Sequence, residues 1–261
     1  MPAPSPIRVG VSGAAGRMGR EVVAAVSSDA DLVLCAAIDR VHVGEDSGAL
    51  AGIATNGIIV RDDLASALTD AHCDVLVDFT QPDSAADNAR IAVQSGVRPV
   101  IGTSGVVPED RLQLDSLLRA SSLGGLLVPN FALGAVLMMK FAAEAASYFP
   151  KREIIELHHD RKLDAPSGTA IRTAEMMSQN PGRAPDAGSA ARGEVVRDVH
   201  IHSVRLPGLV AHQEVLFGGP GELLTIRHDS FDRKCFMPGV LLAIRKVFDV
   251  EGLVVGLEAV L

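Results

Sequence analysis

The stretch Ile7-Arg-Val-Gly-Val-Ser-Gly13-Ala-Ala-Gly16-Arg-Met-Gly19 decides the fold. A short apolar run ends in glycine, as a buried strand does. RMGREVVAAVSS, residues 17–28, then spaces its apolar residues as one face of a helix. In a strand–turn–helix of this kind, glycines let the backbone turn sharply and approach a pyrophosphate. The helix start offers free N–H groups and partial positive charge. The spacing G-x-x-G-x-x-G over Gly13, Gly16 and Gly19 is one residue longer than the common dinucleotide fingerprint. Taken alone, it also fits an ordinary strand–turn–helix of small residues.

Working outward, the pattern repeats. LVLCAAID (32–39), DVLVDFT (74–80), RPVIGTSG (98–105) and LLVPNF (126–131) read as strands. Helices are expected over 82–96 and over 108–122, the latter with acidic residues in its first turn, where the helix dipole favours them. Strands alternating with helices imply a parallel sheet built from βαβ units. Ligands bind such sheets at the carboxyl ends of the strands. The segments to inspect are therefore Gly13–Gly19, Asp39–Arg40, Phe79–Thr80, Gly102–Gly105 and Val128–Phe131.

Asp39 lies about 20 residues beyond Gly19, where an acid typically holds the adenosine ribose hydroxyls. Arg40 can stack on adenine or hold a 2′-phosphate. The pair suggests that both NADH and NADPH are accepted. An Asp at a strand end also satisfies an ordinary turn. Gly102-Thr103-Ser104-Gly105 and Val128-Pro129-Asn130-Phe131 offer small and hydroxyl residues to a nicotinamide; separately, each also reads as a plain turn.

After Asn130 the pattern changes. A long apolar helix (132–149), a strand (152–159) and a helix (167–179) precede a polar, Gly- and Pro-rich loop over 178–198. HIHSVRL, AHQEVLFG and ELLTIRHDS follow closely and suggest an antiparallel meander. A helix (236–248) and a terminal strand or apolar tail (252–261) end the chain. Two domains are expected: an α/β parallel-sheet domain, then an α+β domain with a mixed or antiparallel sheet.

The second half holds the most chemically suggestive segment, HHDRKLDAPSGTA (158–170). His158 and His159 end a strand, and Lys162 follows His158 by four residues. Pro166 keeps Ala165 extended, and Ser167 suits an N-cap. Gly168 and Thr169 then present bare N–H groups, a ready site for a carboxylate. The cluster suits an anionic substrate and proton delivery. Adjacent strand histidines point to opposite faces, and neither Cys nor a carboxylate trio accompanies them, so no metal is assigned. Histidines hydrogen-bonded for structural reasons alone remain an alternative. His200, His202 and His212, with Arg205, can line the same site or a subunit interface, or simply be packed or solvated strand histidines.

The 261 residues carry a net charge of −8, which disfavours general binding to nucleic acid or to an anionic membrane. An anionic small ligand needs only a few local cations and stays admissible. Three cysteines, an odd number with no CxxC pair, read as reduced thiols of a cytoplasmic protein. The N-terminal residues lack the pattern of a signal peptide, and the first six read as a loose tail. No apolar run approaches the ~20 residues of a membrane span.

GAAGRMG (13–19), VDFTQP (77–82), GTSG (102–105), PNF (129–131) and ELHHDRKLDAPSGTA (156–170) together resemble the dihydrodipicolinate reductase family, also called 4-hydroxy-tetrahydrodipicolinate reductase. The resemblance covers nearly the whole chain in order. It implies a Rossmann-like dinucleotide-binding domain over 1–130, joined by 237–261. It also implies a substrate-binding and oligomerisation domain over 131–236, with a mixed sheet that assembles a homotetramer. The implied activity is NADH- or NADPH-dependent reduction of a small dicarboxylate, 4-hydroxy-tetrahydrodipicolinate, in the diaminopimelate route to lysine. By the family pattern His158 is the proton donor and acceptor, and Lys162 a second donor. His159 and the helix start at Ser167, Gly168 and Thr169 take the substrate carboxylate. Gly13, Ala14, Ala15, Gly16, Arg17, Met18, Asp39, Arg40, Phe79, Gly102, Thr103, Ser104, Val128, Pro129, Asn130 and Phe131 take the cofactor. Many members carry Glu at the position of Asp39 and Thr at that of Ser104. Two other readings stand beside this one: a two-domain nicotinamide oxidoreductase for a different small carboxylate, and a non-catalytic nucleotide sensor.

Overall fold

The computed structural model describes residues 5–103, 105–178 and 190–261. Ser104, residues 1–4 of the tail and the Gly/Pro-rich stretch 179–189 lie outside the described residues. The chain divides into two compact units, one of residues 1–131 with 236–261, the other of residues 132–235.

The first unit contains β1 (Ile7–Ser12), α1 (Arg17–Ser28), β2 (Leu32–Ile38), α2 (Ser47–Leu50), β3 (Val60–Arg61), α3 (Leu64–Asp70), β4 (Val75–Asp78), α4 (Pro82–Gln94), β5 (Arg98–Ile101), α5 (Pro108–Ala120) and β6 (Gly124–Leu127). The second contains α6 (Leu133–Ala145), β7 (Lys151–His158), α7 (Gly168–Met177), β8 (Glu194–Val196), β9 (Val199–Arg205), β10 (Ala211–Gly219) and β11 (Glu222–Ser230). The chain then returns to the first unit with α8 (Met237–Lys246) and β12 (Gly252–Val255).

In the first unit seven parallel strands run in the order β12-β6-β5-β4-β1-β2-β3. The order reverses at β1, whose neighbours are β2 and β4. That is the switch point at which ligands enter open α/β sheets. Helix α1 buries Gly19, Val22, Val23 and Val26, the i, i+3, i+4, i+7 stripe its sequence shows. Short β3, α2 and α3 were not legible, because they carry too few residues for a period to emerge. Their capping residues are the surviving signal: Asp46 accepts from Ala49 N and Asp63 from Ser66 N.

The second unit is a five-stranded mixed sheet in the order β11-β10-β7-β9-β8. The three late strands do not form the expected meander. Only β10 and β11 are neighbours, while β9 lies parallel to β7 on its other side. The reason is the crossover through α7: a strand–helix–strand passage lays its second strand parallel to its first. β10 is then left the free edge of β7. The loop expected over 178–198 is also interrupted, since Glu194–Val196 forms β8 against β9. Helix α7 covers the sheet face bearing Ile154, Glu156 and Gln213, to which Thr173 is hydrogen-bonded. Among the described residues no helix is long and apolar enough to cross a membrane.

Candidate active site

In the first unit a cavity of about 540 Å³ opens at the switch point. Gly13, Ala15, Gly16, Asp39, Arg40 and Phe79, from the ends of β1, β2 and β4, line it together. Gly13 has φ +77°, and a Cβ there would lie 2.9 Å from the Phe79 carbonyl oxygen. A Cβ on Gly19 would sit 2.0 Å from the Gly13 carbonyl oxygen. Only glycine permits this turn, so the backbone lies open where a pyrophosphate would approach. Asp39 does more than face the cavity: its carboxylate accepts from Ala15 N at 3.0 Å and Val41 N at 3.2 Å, tying the end of β2 to the glycine turn. Arg40 is exposed at the rim, while Arg17, exposed at the start of α1, is not among the lining residues. Met18 is half-buried, and Ala14 is buried beneath the turn.

Gly102 faces the Phe79 ring so closely that a Cβ would come within 2.2 Å of it. Phe79 in turn packs on Phe131, with ring centroids 5.5 Å apart. Thr103 and Val128 are buried and act as supports: Thr103 donates to the Thr80 carbonyl at 3.1 Å, and Val128 N to the Ile101 carbonyl at 2.8 Å. Pro129 is exposed and Asn130 half-buried at the same sheet end. The sequence reading missed the buried carboxylate beneath this turn. Asp78 accepts from Thr80 Oγ1 at 2.7 Å and Asn88 Nδ2 at 2.8 Å, fixing the end of β4. Its signal is the acid near the end of DVLVDFT, two residues before the Thr80 that it binds.

In the second unit β7 delivers His158, followed by a turn that returns the chain to α7. Glu156 and His158 lie two residues apart on β7 and so share a face. Glu156 is fully buried. Its carboxylate accepts from His158 Nδ1 at 2.5 Å, from Arg205 Nη1 and Nη2 at 2.9 and 2.7 Å, and from Ser167 N at 3.3 Å. Burial opposes the charge, but His158, Arg205 and Ser203 outweigh it and hold the Glu156 carboxyl down at about 2. The carboxylate is therefore an acceptor at neutral pH. His158 Nδ1 must donate to it, which leaves Nε2 as the free ring atom.

Arg205 also donates to the Asp164 carbonyl at 2.7 Å. The Asp164 side chain grips Lys162 Nζ, 2.7 Å from both carboxylate oxygens, and that contact lowers the Asp164 carboxyl. Ser167 caps α7 by accepting from Ala170 N at 3.3 Å. Gly168 is exposed at the first helical position, with nothing within 4 Å of where its Cβ would be. Thr169 follows half-buried. His159 lies just past the strand, half-buried, its Nδ1 without a hydrogen-bond partner among the described residues. One network thus joins His158, Ser167, Lys162 and Asp164 through Glu156 and Arg205. The period-2 spacing of Glu156 and His158 was readable in the sequence. The 49-residue separation of Glu156 from Arg205 was not.

The other three histidines belong elsewhere. His200, His202 and His212 are registered against Glu153, Ile155 and Leu157, on the sheet face opposite Glu156. There His202 pairs with Glu153 at 2.7 Å and His212 with Asp229 at 2.7 Å.

Comparison with known proteins agrees across the chain. The family described as "Dihydrodipicolinate reductase, N-terminus" matches residues 7–131, and "Dihydrodipicolinate reductase, C-terminus" matches residues 134–261. The 4-hydroxy-tetrahydrodipicolinate reductase of Moorella thermoacetica is 51% identical over 98% of this chain and 98% of its own length. That of Syntrophomonas wolfei is 51% identical over 97% of this chain and 98% of its own. The crystallised dipicolinate-bound dihydrodipicolinate reductase of Paenisporosarcina sp. TG-14 superposes with a TM-score of 0.85 at 43% identity, covering 98% of this chain and 99% of that one. With both halves matched and half of all residues shared with such relatives, the chain belongs to the dihydrodipicolinate reductase family.

Proposed function

We propose that the chain reduces 4-hydroxy-tetrahydrodipicolinate to tetrahydrodipicolinate with loss of water, drawing on NADH or NADPH. The observation that carries this reading is the free Nε2 of His158 beside the uncovered start of α7, in a chain of this family. The glycine turn, the cavity at the switch point and the Asp39–Arg40 strand end fit a dinucleotide, and a bound nicotinamide supplies hydride.

The chain's own residues manage protons and charge. In its imidazolium form His158 presents Nε2–H as an acid, suited to protonating the substrate nitrogen or the departing hydroxyl. Lys162 Nζ offers a second donor and stabilises negative charge, with Asp164 holding it until substrate arrives. Gly168 N, exposed at the first turn of α7, takes one carboxylate with the help of the half-buried Thr169, and His159 Nδ1, without a partner among the described residues, assists. That carboxylate thereby meets a row of donors, which favours an anionic substrate over neutral cyclic imines.

Two further features extend the reading. The face of the second sheet opposite Glu156 bears Ile155, Leu157, Val204 and Leu216, with Leu223 68% exposed. We assign this face to assembly of a homotetramer. The three thiols, Cys35, Cys73 and Cys235, are free, which suits a cytoplasmic setting.

The test is turnover. Purified protein should oxidise NADH or NADPH only when the condensation product of pyruvate and aspartate semialdehyde is supplied. His158→Gln and Lys162→Ala should each lower kcat by roughly 100-fold or more. Absence of turnover by the unmutated protein with that substrate rejects the activity. Near-normal rates in the two variants reject the residue roles.

A further inference from the structure

Glu156 is turned away from solvent and binds neither substrate nor cofactor in the proposed reaction, yet it is the most heavily engaged side chain in the second unit's site. A carboxylate has about four acceptor positions. All are filled here: Oε2 by His158 Nδ1 and Arg205 Nη1, Oε1 by Arg205 Nη2 and Ser167 N, and the Ser203 hydroxyl is bonded to the same carboxylate. The group is wholly buried, a placement that costs heavily unless each position is satisfied. Its partners come from three separate elements: His158 from β7, Arg205 from β9 and Ser167 from the start of α7.

We propose that Glu156 is a positioning residue that fixes His158 as the Nδ1–H tautomer and locks that ring to the start of α7. The proton-donating atom and the carboxylate-binding N–H groups then share one anchor. Arg205 completes the device by neutralising Glu156 from β9 and by holding the Asp164 carbonyl, so the turn carrying Lys162 is fixed to the same carboxylate. This inference rests on the reading of His158 as the proton donor.

Replacing Glu156 by Gln exposes the logic. One of the two oxygens becomes an NH₂ that must face groups which are themselves donors. Arg205 and Ser167 N can only donate. Of the groups around the carboxylate, the His158 imidazole and the Ser203 hydroxyl can switch from donor to acceptor. With Ser203 also replaced by Ala, the amide can face only His158, whose Nδ1 must accept, and the proton moves to Nε2. The neutral ring left after each turnover then has the wrong nitrogen protonated.

The experiment is nitrogen-15 NMR of histidine-labelled full-length protein, with His158 assigned by comparison with His158→Gln. In the unmutated protein the neutral His158 ring should carry its proton on Nδ1. In Glu156→Gln combined with Ser203→Ala the population should shift severalfold toward Nε2–H, with kcat falling by roughly 10²- to 10⁴-fold relative to Ser203→Ala alone and KM changing far less. A neutral His158 that is Nε2–H in the unmutated protein overturns the proposal, and this arm needs no variant to fold. A Glu156→Gln, Ser203→Ala protein that keeps the Nδ1–H tautomer overturns it too. The outcomes separate from those of the activity itself: full turnover by His158→Gln sinks the donor role, whereas an unmoved tautomer sinks only the role of Glu156.

Discussion

Arg40 and Asp39 are placed unequally for the adenosine end of the proposed cofactor. Asp39 has one carboxylate oxygen committed to Ala15 N at the glycine turn and the other to Val41 N beyond β2, while Arg40 stands exposed at the cavity rim. A guanidinium contact to a 2′-phosphate is charge-assisted and contributes about 1.5–3 kcal/mol. Arg40→Ala should therefore weaken NADPH binding by at least about tenfold and NADH binding much less, measured as a pair of dissociation constants by fluorescence titration. Equal losses for both cofactors would remove Arg40 from discrimination. The depressed carboxyl of Glu156 makes a second residue-scale prediction. A carboxyl held at about 2 when folded, against an ordinary 4.5, contributes stability that is complete above 4.5. That stability is lost as pH falls from 4.5 toward 2. The urea midpoint should decline more steeply over that window in the unmutated protein than in Glu156→Gln. At this scale the sequence was legible wherever one local motif held both partners, as with Ser167 capping α7 or Lys162 beside Asp164. Glu156 with Arg205 was not, because strand pairing across 49 residues leaves no local trace.

Elements of ordinary length were legible from their periods, and their ends from glycine, proline and capping residues. Helix α1 and strand β11 have the bounds their patterns indicate. What failed was partner choice: β9, β10 and β11 each read as strands, but nothing within them says that β7 would come between two of them. Register is settled by which faces are buried, and that depends on where α7 lies. The glycine turn is the element most open to test. Gly13→Ala places a Cβ 2.9 Å from the Phe79 carbonyl oxygen at a φ of +77°. The variant should bind NADH at least about tenfold more weakly and melt at a lower temperature. An unchanged affinity would mean that the turn does not cradle the cofactor.

Among the described residues the second sheet has one face under helix and one that is not. Ile155, at the middle of the second face, is flanked in register by His202 and Glu214. Ile155→Asp should break a tetramer into smaller species in analytical ultracentrifugation, because an unpaired charge buried at an interface is strongly unfavourable. A tetramer that survives this change, or a protein that is monomeric without it, would remove the face from assembly. The whole-molecule arrangement was the least legible level, since charge and composition constrain partners only by sign.

Strand β12 pairs with β6 along Gly252–Val255, and a Cβ on Gly124 of β6 would lie 2.3 Å from the Val250 carbonyl oxygen. The last strand of the first unit's sheet is thus also the last strand of the chain, and β6 is shaped to receive it. During synthesis the ribosome must complete the entire second unit before the first can close its sheet. Until then β6 stands as a bare edge with two adjacent glycines, a site where a nascent chain is open to mispairing. The nucleotide-binding half begins to be made first and is finished last.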